Sequence, residues 1–415
     1  MRRIAIVALL AVPLQAESLT AMVERVSALR QKLDIVARES HPLRAALETA
    51  EYILTAAQGK APGVKPRITY RKGKNGKYIR TIHPRLNLPN DLKLAQDFIH
   101  SLEAGDDPLA IKTGDMRQAY RSSVDGTLQP YRILVPENFD RSKEYPLVIA
   151  LHGHTGDENT YPDKYINRAT NEHVFQKMGN ERGYILVSPR GRGPGVKYLG
   201  SSETDVVEVL ERVTSLYPVK KDQIFLTGHS SGGMGTWRIG LKYPEKFAGL
   251  AAVGSAFPAQ PPEILRSLND ENRGKPLMYV QGRRDRLSTQ RGAKNLVDAV
   301  KPAMPNFIYR EFPGGHDALG VVSIATVFDF FDAISDGREL GASDAVTPRI
   351  RLPSAPSVPR RVRLARPPSS RNFRRRPSYR SARSARAPSR RSWSPLSNRA
   401  ATVRERMCKQ FCRCA

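Results

Sequence analysis

Near its start the chain places apolar residues at alternating steps of three and four. Leu19, Met22, Val23, Val26, Leu29, Leu33 and Val36 form this stripe, which predicts an amphipathic helix with a narrow apolar seam. Pro42 disfavours helical geometry in the residue before it, so the helix should end near Ser40. A second helix is expected from Leu43 to about Ala57. The pair reads as a hairpin (17–58) packed on the body. A homodimeric coiled coil is disfavoured because the repeat is shorter than three heptads. Residues 59–88 are rich in Gly, Pro, Lys and Arg, and 59–115 reads as a linker carrying one helix, Asp91 to Leu102.

The pattern then changes period. "QPYRILVPENF" and "YPLVIALHG" read as strands, with Asp125-Gly126 upstream as a hairpin signal. Strands are expected at Tyr184–Ser188, Gln223–Thr227, Gly249–Val253, Leu277–Gln281 and Phe307–Phe312. Helices are expected at Glu203–Leu216, Ser231–Lys242, Thr289–Val300 and Val321–Ala333. Short apolar strands alternating with helices predict an α/β fold, a mainly parallel sheet covered on both faces, over residues 116–338.

Charge changes the picture only at the C-terminal end. The 415-residue chain has a net charge of +27. Residues 346–415 hold twenty Lys plus Arg against the single acid Glu405, which is +19, leaving +8 for residues 1–345. Arg, Ser and Pro dominate 339–415, and such a composition cannot build a core. It reads either as an anchor for anionic polymers or, because nineteen of the twenty cations are Arg, as an out-of-frame translation. At the other end, "MRRIAIVALLAVPLQAES" has the basic start, short apolar run and small residue (Ala16) of a secretory signal over residues 1–16. An exported protein, periplasmic or secreted, is therefore expected, with no transmembrane segment after processing. All three cysteines, Cys408, Cys412 and Cys414, sit in the last eight residues. The body thus offers no thiol nucleophile, disulfide framework or Cys-based zinc site.

The candidate chemistry lies in "IFLTGHSSGGMGTW". The frame G-x-S-x-G fits only Ser230, which follows a β-branched and aromatic strand and opens a helix, the setting of a nucleophile elbow. Ser231 begins the helix, where its backbone N–H can face a developing oxyanion. A serine hydroxyl needs a base. His229 is pinned to the elbow, whereas His316 in "FPGGHDAL" lies on a loop at the sheet's C-terminal edge. Asp285 in "MYVQGRRDRLS" is the expected acid, since Asp317 is adjacent to His316 and Asp205 and Asp222 precede the serine. "VIALHGHTG" supplies a second oxyanion donor, the His154 amide. A metal reading of His152, His154 and Asp157 has incomplete spacing, so no metal and no cofactor are expected. "SPRGRGPGVKYLG" places Arg190, Arg192 and Tyr198 where they could line the mouth and favour acidic or sugar-bearing esters.

With "LHGHTG", "GHSSGGMGTW", "GRRDRLS" and "GGHDAL" in this order, residues 116–335 resemble the α/β-hydrolase esterases. The likeness is to polyhydroxybutyrate-depolymerase-like and feruloyl-type esterases and to the catalytic domain of prolyl oligopeptidases. The resemblance implies a Ser230–His316–Asp285 triad and acyl transfer to water through an acyl-enzyme. It also implies a small ester, esterified polysaccharide or polyester as substrate. A serine peptidase of the oligopeptidase type and a binding protein using the basic tail are the alternatives.

Overall fold

Strand residues in the body point alternately into two apolar clusters, and that alternation sets the architecture. The computed structural model describes residues 18–36, 42–61, 67–72, 78–83, 88–167, 170–195, 197–256 and 260–340. The signal segment (1–16) and the basic region from 341 onward lie outside these residues. The elements are α1 (Leu19–Val36), α2 (Pro42–Ala57), β1 (Arg67–Lys72), β2 (Tyr78–His83), α3 (Leu88–Ala104), β3 (Gly114–Arg121), β4 (Leu128–Val135) and β5 (Tyr145–Leu151). There follow the two-residue strands β6 (Ile166–Asn167) and β7 (Glu172–His173), then α4 (Val174–Arg182), β8 (Ile185–Pro189), α5 (Ser201–Leu216) and β9 (Val219–His229). The chain continues through α6 (Ser231–Lys242), β10 (Gly249–Val253), α7 (Gln260–Ser267), β11 (Leu277–Gly282), α8 (Gln290–Val300), β12 (Phe307–Phe312) and α9 (His316–Ser335).

Eight strands form the central sheet in the order β12-β11-β10-β9-β5-β8-β4-β3. The six from β12 to β8 are parallel, and β4 runs antiparallel to both β8 and β3. Leu147, Ile149 and Leu151 of β5 enter one cluster with Leu226 of β9 and the inner faces of α5, α6 and α8. Val148 and Ala150 enter the other, with Phe225 and residues of α4 and α9. Both faces are therefore covered by helices, as buried parallel strands require. The chain leaves β5 for β8 on one side and crosses back to β9 on the other. The ends of β5 and β9 thus flank a switch point, where the diverging connections leave a crevice for ligands.

The N-terminal helices pack on the body and share its core. Ala46, Ala50, Ile53 and Leu54 of α2 and Phe98 and Ile99 of α3 belong to the same cluster as the sheet. The Thr49 hydroxyl accepts the Ala119 N–H at 3.1 Å, covering the otherwise open edge of β3. A buried ion pair between Glu48 and Arg212 ties α2 to α5. The stretch expected to be a linker holds the antiparallel pair β1–β2 as well as α3, which is longer than expected. Two body helices escaped the pattern: α4 buries only Val174, Phe175 and Gly179, and α7, among its described side chains, fully buries only Ile264. Among the described residues no helix is long and apolar enough to cross a membrane.

Candidate active site

The sharp turn between β9 and α6 is set by backbone crowding. A side chain at Gly232 would meet the Leu151 carbonyl oxygen at 2.0 Å, and one at Gly228 would meet the Gly232 oxygen at 2.3 Å. Neither strain can be relieved by a rotamer, because the obstacles are backbone atoms. Between them Ser230 adopts φ 62° and ψ −119°, a conformation unfavourable for a residue with a Cβ and one associated with functional strain. Its N–H donates to the Val253 carbonyl at 2.8 Å, so neighbouring β10 holds the turn in place. Ser230 remains partly accessible while Ser231 is buried. Ser231 is the first residue of α6, and first-turn N–H groups have no partner within their helix. Its hydroxyl has no hydrogen-bond partner among the described residues and does not cap the helix.

Asp285 and His316 come together from the loops after β11 and β12. His316 Nδ1 lies 2.7 Å from Asp285 Oδ2, with the carboxylate fully buried. Asp285 Oδ1 accepts the N–H groups of Leu287 (2.8 Å) and Ser288 (2.9 Å). The two loops are laced by the Arg283 N–H to the Phe312 carbonyl (2.8 Å) and the Arg284 N–H to the Gly314 carbonyl (2.9 Å). His316 is the first residue of α9 rather than a loop residue, because that helix starts five positions before its expected beginning. With Nδ1 on the acid, Nε2 is left for other chemistry. The His316 ring centroid is 4.7 Å from that of His229, the neighbour of Ser230.

His229 itself is buried and bonded through Nδ1 to the Tyr165 hydroxyl at 3.0 Å. Burial, reinforced by His316 and Lys164, pushes its pKa down to about 3, so the ring is neutral. Nothing in sequence spacing signals Tyr165, which lies 64 residues away from its partner.

The loop after β5 passes against the elbow: a side chain at Gly153 would lie 3.4 Å from Ser230 Cβ. This brings the strand end carrying His154 beside the serine, and Gly195 fixes it by donating its N–H to the His154 carbonyl at 2.6 Å. His152 is buried with Nδ1 and Nε2 facing the Gly153 and Arg190 carbonyls at 2.8 and 2.7 Å, and burial lowers its pKa. Its ring is thereby engaged in holding the loop, and Asp157 turns inward to accept the Asn159 N–H.

The three residues expected to line the mouth do not. Tyr198 is fully buried and donates its hydroxyl to the His152 carbonyl at 2.9 Å. Arg192 is bound by Asp125 and Ser122, and Arg190 is buried behind the loop it supports. A glycine-rich loop suggests exposure, but here it folds inward because Asp205 captures the Gly191 N–H at 2.7 Å. Burial raises the Asp205 pKa to about 6. These side chains are scaffolding for the strand end that carries His154.

Residues 126–318 match the family described as "Putative esterase". A probable dipeptidyl-peptidase 5 from Aspergillus terreus is 31% identical over 140 residues, covering 31% of this chain and 18% of that protein. A bifunctional acetylxylan esterase/xylanase from Neocallimastix patriciarum is 24% identical over 164 residues, covering 39% and 22%. The chain thus spans about a fifth of the length of these relatives. Among solved structures, S-formylglutathione hydrolase from Staphylococcus aureus aligns with a TM-score of 0.45 at 19% identity, over 52% of this chain and 98% of that one. A ferulic acid esterase from Anaeromyces mucronatus aligns at 0.42 with 16% identity, over 52% and 88%. The sheet order is that of an α/β-hydrolase fold, and the esterase match spans the serine held in the strained strand-to-helix turn.

Proposed function

We propose that the protein hydrolyses carboxylic esters through Ser230, His316 and Asp285. The observation that carries this reading is the strained Ser230 backbone, together with a histidine already oriented by a buried carboxylate. In this mechanism the Ser230 hydroxyl attacks the ester carbonyl as His316 Nε2 takes its proton, while Asp285 holds Nδ1–H and stabilises the imidazolium. The N–H groups of Ser231 and His154 receive the oxyanion. Collapse expels the alcohol, protonated by His316, and leaves an acyl-enzyme that water cleaves by the same sequence. Every step uses side chains, amides and water.

A fluorophosphonate ester provides the test: peptide mapping should place it on Ser230 and leave Ser231 unlabelled. Label on Ser231, or none, would overturn the assignment. The substrate in this reading is a small ester or an esterified polysaccharide or polyester. The dipeptidyl-peptidase relatives favour a second reading, hydrolysis of peptide amides. Parallel assays on acyl esters and dipeptidyl amides separate the two. Export is part of the proposal: exported protein should begin at Glu17 by intact mass, and retention of Met1 would refute it.

A further inference from the structure

Asp285 bonds one edge of the His316 imidazole. A single N–H···O bond tolerates bending of about 30°, so by itself it leaves the ring free to twist. A base that must meet a serine proton needs tighter control, on the order of 10–20°. The further contact comes from His229, which packs against the His316 ring with centroids 4.7 Å apart and planes inclined by 39°.

His229 is itself tightly held. Its backbone belongs to the end of β9, and its Nδ1 is bonded to the Tyr165 hydroxyl at 3.0 Å, the two rings meeting edge to face at 83°. At the end of β10, a side chain on Gly254 would lie 3.5 Å from His229 Nε2. Tyr165 is buried and locked by Tyr161, whose ring meets it edge-on at 4.9 Å and also packs on Phe175 at 5.1 Å. Gly320 stands four positions after His316 on α9, one turn along the same face. A Cβ at Gly320 would overlap the Tyr165 ring. Glycine inside a helix weakens it, and here its bare backbone seats the tyrosine. The contacts therefore close a circuit: Tyr165 bonds His229, His229 backs His316, and the helix that carries His316 makes room for Tyr165. For packing alone an apolar pair would serve, without the cost of burying two polar side chains.

We propose that Tyr165 and His229 are positioning residues for His316, bracing its ring while Asp285 holds its edge, so that Nε2 stays aimed at Ser230. The inference rests on the proposed ester hydrolysis and adds two residues to its machinery. Because burial keeps His229 neutral, the imidazolium formed on His316 meets no like charge from this neighbour.

Two variants of the full-length protein test it. Tyr165→Phe removes the hydroxyl and keeps the ring, and Gly320→Ala crowds that ring while favouring the helix. With p-nitrophenyl butyrate each should lower kcat about tenfold and leave KM within about twofold, as a misplaced catalytic group does. In proton NMR, the downfield resonance of the His316 Nδ1–H, identified by its loss in His316→Ala, should broaden in both. A merely structural role would lower the melting temperature but leave kcat and this resonance of the folded protein unmoved, and that result would overturn the assignment. Tyr165→Phe is nearly isosteric and decides the matter alone if Gly320→Ala does not fold. If the resonance broadens while wild type hydrolyses no ester, the brace stands and the esterase reading fails.

Discussion

The proposed roles of the paired serines divide between a side chain, at Ser230, and a backbone amide, at Ser231. In the proposed mechanism Ser230→Ala removes the attacking oxygen, and turnover should fall by roughly 10³ or more. Ser231→Ala keeps the amide and loses a hydroxyl that bonds nothing among the described residues. Its activity should stay within about tenfold and its stability within about 0.5 kcal/mol in a denaturant titration. If the two variants behave alike, the roles have been misassigned. His229 makes a pH-dependent contribution of definite sign. Its folded pKa, about 3, lies below its ordinary 6.5. Stability from this group is therefore full above pH 6.5 and lost as pH falls towards 3, at about 1.4 kcal/mol per unit. Asp205, raised to about 6, works in the opposite direction, so wild type alone cannot isolate the effect. Urea titrations of wild type and His229→Gln at pH 7 and 4.5 should show the variant losing about 2–3 kcal/mol less on acidification; equal losses would refute the assignment.

At the scale of elements, α2 closes an edge that β3 would otherwise present to other chains. Thr49→Val keeps the shape but strands the Ala119 N–H, and should cost about 1–3 kcal/mol by denaturant midpoint. An unchanged midpoint would mean that water replaces the hydroxyl. This contact was not legible in the sequence, because α2 reads as amphipathic whichever surface it covers. The helix itself was legible, as were α6, β10 and β12 to the residue, since each has a strong period and clear ends. The elbow could be read too, because a turn that crowds backbone on backbone demands glycine at fixed offsets; of the candidate triad, the structure shows the contact between Asp285 and His316. Arg190, Arg192 and Tyr198 were misread as a mouth. Whether a loop folds outward or inward depends on distant partners, here Asp205 and His152.

For the whole molecule, the excess charge and the candidate active site lie in separate segments of the sequence. Residues 346–415 hold +19 of the net +27. Retention of the full chain on heparin should weaken steeply with salt, as release of bound counterions requires. Removing those residues should lower the eluting salt while ester turnover persists. Retention unchanged by the truncation would assign polyanion binding to the body instead.

Periodicity and residue spacing alone determined an α/β body and its strand-to-helix elbow, because those features follow from local sterics, and residue type singled out Ser230, Asp285 and His316 as candidates. Tertiary structure decided what needs partners far apart in the chain. It fused the N-terminal helices with the sheet's core, buried His152 and Tyr198 as supports for the strand end beside Ser230, and set Asp285 against His316 across two interlaced loops. Local propensity is indifferent to such pairings. They are selected only when burial and hydrogen-bond satisfaction are resolved for the whole chain at once.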